Sequence, residues 1–181
     1  MSGNGLVPPD LLVRRMAVTD LPFILALSKQ ESASIGFIGN RYEKPKPSDY
    51  CLVVLRNDDP VGFAYGSTPP FRNARCWQIA VRKDARFLEH GAALVQEIER
   101  LALRAGAPTI TARCAVELPS NAFWKAESFE HVALARGQIG DGYAKKGRQV
   151  KVWVKDLHPL LIPRDGVITL AERRHRAAGG A

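Results

Sequence analysis

The sequence predicts a single α/β or α+β domain. Three observations carry that reading. Trp77, Ile79 and Val81 alternate with Gln78 and Ala80, the period-two pattern of a strand with one apolar face. Leu94, Ile98, Leu101 and Ala105 recur at spacings of four, three and four, which lines one face of a helix. Segments of these two kinds alternate along 181 residues, a length that suits one compact core.

The elements follow in order. Residues 1–11 hold Gly3, Gly5, Pro8 and Pro9 and are expected to form a flexible lead-in. Residues 11–16 are a short strand candidate. Thr19 or Asp20 can cap the next helix, whose first turn tolerates Pro22 and whose apolar face is Phe23, Ile24 and Leu27. Residues 32–49 are rich in Gly, Ser, Lys and Pro and predict a short helix with a loop. Strand 50–56, a turn at Asn57-Asp58-Asp59-Pro60 and strand 61–65 predict a hairpin. Pro69-Pro70 breaks the chain before strand 75–82. The longest helix spans 89–105, and Gly106 stops it. Strand 108–114, helix 121–127 and strand 129–135 follow. Strand 149–154, with Val150, Val152 and Val154 alternating, is expected to close the sheet. The domain thus spans 12–157, and 158–181 is a basic tail containing Arg173, Arg174 and Arg176.

Composition excludes several classes. Apolar residues make up 46% and charged residues 24%, which argues against wholesale disorder. The net charge is +8, but it is uneven: residues 140–181 carry nine basic and four acidic residues. Charge alone therefore does not mark a nucleic-acid-coating protein. No apolar run approaches the roughly 20 residues of a membrane-spanning helix. Residues 1–10 lack the layout of a signal peptide, so a soluble cytoplasmic protein with no membrane partner is expected. Cys51, Cys76 and Cys114 lie in apolar runs and read as buried thiols. The four histidines show no metal-ligand spacing, and no metal is expected.

The most informative junction is strand 75–82, then Arg82-Lys83-Asp84-Ala85-Arg86, then the long helix. A helix N-terminus after a strand offers free N–H groups and a favourable dipole to an anion. Arg86 adds a cation that can fork onto phosphate, and Gly91 lets a ligand approach the backbone. An ordinary strand-to-helix turn with a solvated Arg is the alternative.

Ile79-Ala80-Val81 followed by Arg86-Phe87-Leu88-Glu89-His90-Gly91-Ala92 resembles the acyl-CoA-binding motif of the GNAT superfamily of N-acetyltransferases, Gln/Arg-x-x-Gly-x-Gly/Ala at a helix start. Asn121 to Phe129, with Phe123, Trp124 and Ser128 between, resembles the family's second signature, in which a helix leads into a strand. The order of elements agrees from about Leu12 to Leu157. The resemblance implies a three-layer α+β fold with a central mixed, mostly antiparallel sheet flanked by helices. It implies acetyl-CoA as co-substrate and direct transfer of the acetyl group to an amine on a small molecule or protein. Ile79, Ala80 and Val81 would then present backbone groups to the pantetheine arm and thioester, with N–H donors acting as an oxyanion hole. Residues Arg86, Phe87, Leu88, Glu89, His90, Gly91 and Ala92 would wrap the pyrophosphate. Asn121 would contact the pantetheine arm, and Phe123 and Trp124 would flank it. The acceptor pocket would come from 32–49 and 137–148.

Two residues depart from the pattern. Glu89 replaces the motif's first glycine, and a carboxylate about 4 Å from a phosphate charge repels it by about 4 kcal/mol at an effective dielectric near 20. An outward-pointing Glu89 would instead complement the helix dipole. Trp124 stands where many members have a Tyr that protonates the leaving thiolate, and an indole supplies no such acid. The general base is open: Glu117, between a strand and the 121–127 helix, is the catalytic candidate, with His131 through a water, or water alone, as alternatives. Tyr143 could cover the acceptor site. These departures keep a second class open, a non-catalytic CoA-binding or interaction module. The basic cluster Lys145, Lys146, Arg148 and Lys151 keeps a third, an acyltransferase for a nucleic-acid-linked amine.

Overall fold

The computed structural model describes residues 11–35, 42–86, 89–136 and 148–157. Its strands are β1 (Leu11–Arg15), β2 (Asp49–Arg56), β3 (Asp59–Ser67), β4 (Ala74–Val81), β5 (Thr109–Ala115), β6 (Glu130–Arg136) and β7 (Gln149–Asp156). Its helices are α1 (Leu21–Gln30), α2 (Ser32–Ile35), α3 (His90–Arg104) and α4 (Asn121–Ala126). The lead-in and the basic tail fall almost wholly outside the described residues.

One sheet runs in the order β1-β2-β3-β4-β5-β7-β6. β4 and β5 pair in parallel, and the other neighbours are antiparallel. The expected mixed, mostly antiparallel sheet is therefore present. Alternation along β2 divides it between two cores. Leu52 and Val54 point to the face where Leu94, Val95 and Ile98 of α3 pack. Val53 and Leu55 point to the other, with Ile24 and Leu27 of α1, Phe63 and Tyr65. The result is three layers, helix on sheet on helix.

Several local expectations are corrected. The hairpin turn is two residues long, since Asn57 and Asp58 take φ of 49° and 64° and Asp59 and Pro60 join β3. A two-residue turn with both φ positive matches the strands' twist, and Asn and Asp tolerate that conformation. Strand β7 does not close the sheet but lies between β5 and β6, leaving β6 at the edge. The buried side chain of β7 is Trp153, while Val150, Val152 and Val154 are half-buried. On α3, Ala102 is fully buried and Leu101 only partly so, and Ala105 lies just past the helix end, also partly buried. Gly106 ends that helix with φ of 69°, as expected.

The predicted single apolar face of β4 is also wrong, for a physical reason. Tyr65 pairs with Gln78 but Gly66 pairs with Cys76, so Trp77 is an extra residue in the ladder. Such a bulge flips the alternation and sharpens the local twist. Cys76, Ile79 and Val81 consequently associate with the α3-side core, and Trp77 and Ala80 with the α1-side core. Beyond this point β4 leaves β5, to which it is joined by three residue pairs, Ala74↔Ile110, Arg75↔Thr111 and Cys76↔Ala112.

The start of α1 is fixed by charge. Asp20 is 6% exposed. Its carboxylate takes two bonds from the Arg14 guanidinium, at 2.6 and 2.9 Å, and one from the Ala17 N–H at 2.7 Å. The Arg14 hydrogen bonds hold its carboxyl below the usual range against the opposing effect of burial, with the Ala17 N–H helping. A folded pKa below the unfolded one adds stability that is present above the unfolded value near 4 and is lost as pH falls through the folded value. Asp20→Asn should therefore lower the unfolding free energy at pH 7 by about 1–2 kcal/mol, with the gap to the parent narrowing below about pH 4. Urea unfolding at pH 7 and pH 3 measures both.

Candidate active site

The divergence of β4 from β5 opens a cleft of about 1490 Å³. Ligand pockets for one small molecule usually occupy about 300–1,000 Å³, so this cleft has room for more than one. The bulge at Trp77 makes it, because the edge of β4 from Gln78 to Val81 loses the strand partner that a sheet interior would provide. Ile79, Ala80 and Val81 line one wall, and Arg113, Cys114 and Ala115 of β5 line the other. Gly91 and Ala92 of α3 and Phe123 and Trp124 of α4 line it on the helical side, and Ser34 and Ile35 of α2 on the opposite side. The N-terminus of α3 is thus at the cleft, where its first N–H groups have no intrahelical acceptors.

The residues of the site and those expected there fall into three groups. Ile79, Ala80, Val81, Arg86, Glu89, Gly91, Ala92, Phe123 and Trp124 all line the cleft. Arg86 donates from Nε to the Val81 carbonyl at 3.1 Å and pairs with Glu31 at 2.8 Å, which fixes its guanidinium at the cleft wall. Two contacts leave further donors of its five N–H groups. Glu89 is exposed and immediately precedes α3. Gly91 has a local reason for lacking a side chain: a Cβ there would sit 2.8 Å from the Phe123 ring. Trp124 is buried, with Phe123 and Phe129 edge-on at 5.2 and 5.0 Å.

A second group does structural work. His90 is 3% exposed, and its Nδ1 lies 2.9 Å from the Ala85 carbonyl, tying the turn after β4 to α3. Asn121 donates from Nδ2 to the carbonyls of Ala115, Val116 and Leu118 at 2.8, 3.2 and 2.8 Å. Its Oδ1 accepts from the Trp153 indole at 3.0 Å. Its amide is thus spent on shaping the β5–α4 turn, and the side chain does not line the cleft. Glu117 does not line it either: it is 59% exposed and held by Arg148 Nε at 2.7 Å. A bond from its own backbone N–H and then the Arg148 contact lower its carboxyl below the usual range, a poor setting for a base. His131 lies against Trp153 at the sheet edge, its ring tilted by 54° with centroids 5.7 Å apart. Phe87, Leu88 and Tyr143 lie outside the described residues.

In the third group Glu31, Arg75 and Arg113 were not singled out by sequence, and Arg148 was named only as part of a basic cluster. Glu31, one residue past α1, is 7% exposed and lines the cleft. Its Oε2 meets Arg86, whereas its buried Oε1 accepts no hydrogen bond among the described residues. Arg75 and Arg113 line the cleft and are exposed. Arg148 donates both to Glu117 and, at 3.2 Å, to the Ala33 carbonyl of α2, bridging the two sides of the cleft. Glu31, Arg75 and Arg113 come from separate elements, so no local pattern joins them and only the fold brings them to one cleft. The three cysteines are free and buried, as expected.

Comparison with known proteins decides the family. Residues 21–129 match the model of the acetyltransferase (GNAT) family. The chain belongs to that family. Its members are acyl-CoA-dependent N-acetyltransferases. Among solved structures, the GNAT fold of this chain is similar to that of spermidine N-acetyltransferase from Vibrio cholerae in complex with CoA and spermine (TM-score 0.68, 14% identity, covering 83% of this chain and 98% of that one). It is similar to the ribosomal-protein-S18-alanine N-acetyltransferase from Escherichia coli (0.65, 14%, 81% and 94%). The same holds for a ribosomal-protein-alanine N-acetyltransferase from Brucella melitensis (0.64, 20%, 80% and 99%). A search of curated protein sequences finds no match. No helix among the described residues is long and apolar enough to cross a membrane.

The bonding of Asn121 predicts a role that needs no ligand. Asn121→Ala should lower the melting temperature of the ligand-free protein, with a loss of about 2–4 kcal/mol in unfolding free energy. Calorimetric melting without CoA reads this directly; an unchanged melting temperature would contradict it.

Proposed function

We propose that this chain transfers the acetyl group of acetyl-CoA directly to an amine bound in the cleft between β4 and β5. The observation that carries the reading is the edge of β4 at Ile79 and Ala80, beyond its last pair with β5, opening beside the N-terminus of a 15-residue helix. An extended chain bearing amides, such as pantetheine, can pair with that edge as a missing strand would. The pyrophosphate then lies toward the first turn of α3, where free N–H groups and the dipole favour an anion. Spare donors on Arg86 add charge-assisted bonds. Phe123 and Trp124 supply the apolar wall on the α4 side.

In the chemical step, the lone pair of the neutral amine attacks the thioester carbonyl. A C–N bond forms, the C–S bond breaks, the thiolate departs, and the proton shed by the nitrogen passes to water. Backbone N–H groups of the freed β4 edge stabilise the oxyanion of the tetrahedral intermediate. With Trp124 in the core and no acid beside the cleft at that position, the thiolate departs unassisted, which its low basicity permits. Holding both reactants in one cleft supplies the proximity such a bimolecular step needs.

Acetyl-CoA should raise the melting temperature and give calorimetric heat; neither at millimolar ligand would overturn the reading. Release of free CoA thiol on adding amines would then separate an enzyme from a binding module. Glu89, exposed at the start of α3, opposes the phosphates. Glu89→Gln should tighten acetyl-CoA binding about three- to tenfold at low salt, with the gain shrinking as salt screens it.

A further inference from the structure

We propose that the acceptor is an aminocarboxylate, a primary ammonium with a carboxylate a few bonds away, and that polyamines and simple alkylamines are poor acceptors. The inference deepens the acetyltransferase reading and rests on it. It stands on a buried carboxylate oxygen with no hydrogen-bond partner, and on two arginines with no paired acid, among the described residues.

Glu31 is the first observation. It is nine-tenths buried, it lines the cleft, and its Oε1 has no hydrogen-bond partner among the described residues. Buried polar atoms are normally satisfied, so an orphaned carboxylate oxygen beside an open cleft calls for a donor from a ligand. A cationic N–H donor suits it best, because charge-assisted bonds are the strong ones. The acceptor ammonium is such a donor. Arg86 holds the other oxygen, which fixes the carboxylate in place.

The second observation is the positive charge lining the same cleft. Arg75 pairs across the β4–β5 junction with Thr111, and Arg113 lies two residues further along β5, so both project from the same face of the sheet. Diagonal neighbours in a sheet are within reach of one another's long side chains. Neither arginine has a carboxylate partner among the described residues, although the other arginines of the cleft do: Arg86 has Glu31 and Arg148 has Glu117. Lys44 and Lys46 line the same cleft. Asp49 also lines the cleft, and its carboxylate already accepts from the Tyr65 hydroxyl and the Lys46 N–H. Glu31 is thus a site for a cation in a cleft whose six Lys and Arg outnumber its four Asp and Glu. A dication such as a polyamine places its second charge among arginines and is repelled. A carboxylate there is forked by guanidinium groups.

The test uses the full-length protein saturated with CoA, so that binding is read without turnover. Glutamate, a glutamyl dipeptide, butylamine and putrescine are titrated by calorimetry. Glutamate or the dipeptide should bind about ten- to a hundredfold tighter than butylamine, with putrescine weakest. Whichever of the first two binds tighter separates a free amino acid from a peptide N-terminus. Arg75→Gln and Arg113→Gln together should bring the aminocarboxylate down to the butylamine level. Glu31→Gln should weaken every amine. Putrescine or butylamine binding as tightly as glutamate, or a preference that survives in the double arginine variant, overturns the inference alone. Failure of CoA itself to bind overturns the acetyltransferase reading beneath it.

Discussion

The parting of two parallel strands is the constraint on which everything else in this molecule depends. A parallel sheet gains its stability from continuous pairing, yet β4 and β5 stay together for three residue pairs only. One extra residue, Trp77, turns β4 out of register with β3 and away from β5. The lost ladder bonds leave backbone groups exposed inside a cleft, a costly state unless something pairs with them. The fold accepts that cost at one place and compensates nearby: α3 closes one face over Leu94 and Ile98, and α1 closes the other over Ile24 and Leu27.

The elements with strong local patterns were legible in the sequence. The α3 stripe, the Gly106 stop and the hairpin around Asn57 are each written within a dozen residues, and their positions held to within a few residues at their ends. The placement of β7 between β5 and β6 was not legible, because valine alternation states that a strand has two faces and is silent about its neighbours. The Trp77 bulge was hidden for a related reason. The apolar alternation of Trp77, Ile79 and Val81 is real, but a bulge changes which face each occupies without changing the string of residues.

The site shows the same division. Arg86, Gly91 and the Phe123-Trp124 pair were found because their motif is short and contiguous, and all of them line the cleft. Asn121 and His90 lie inside the same motifs yet spend their polar atoms on backbone carbonyls. Motif membership marks where a residue sits, and the hydrogen-bond ledger of its side chain tells what it does there. Glu31, Arg75 and Arg113 come from three separate elements, and nothing in their own neighbourhoods marks them. Glu117 was the reverse case, a carboxylate well placed in the linear order but claimed by Arg148 once the chain folds.

The three-pair junction also has a mechanical meaning. The sheet consists of two leaves, β1 to β4 and β5 to β7 to β6, and the backbone rungs between them form a short hinge. Arg148 reaches from one leaf to the Ala33 carbonyl carried with the other, as a catch does on the free side of a door. The grip is an exposed ionic contact and one bond to a carbonyl, weak enough to open on thermal timescales. Behind the cleft the leaves are joined by one continuous core, in which Leu52 of β2 packs in the same cluster as Ile110 of β5, Trp153 of β7 and Leu94 of α3, so only the mouth of the cleft is free to yield.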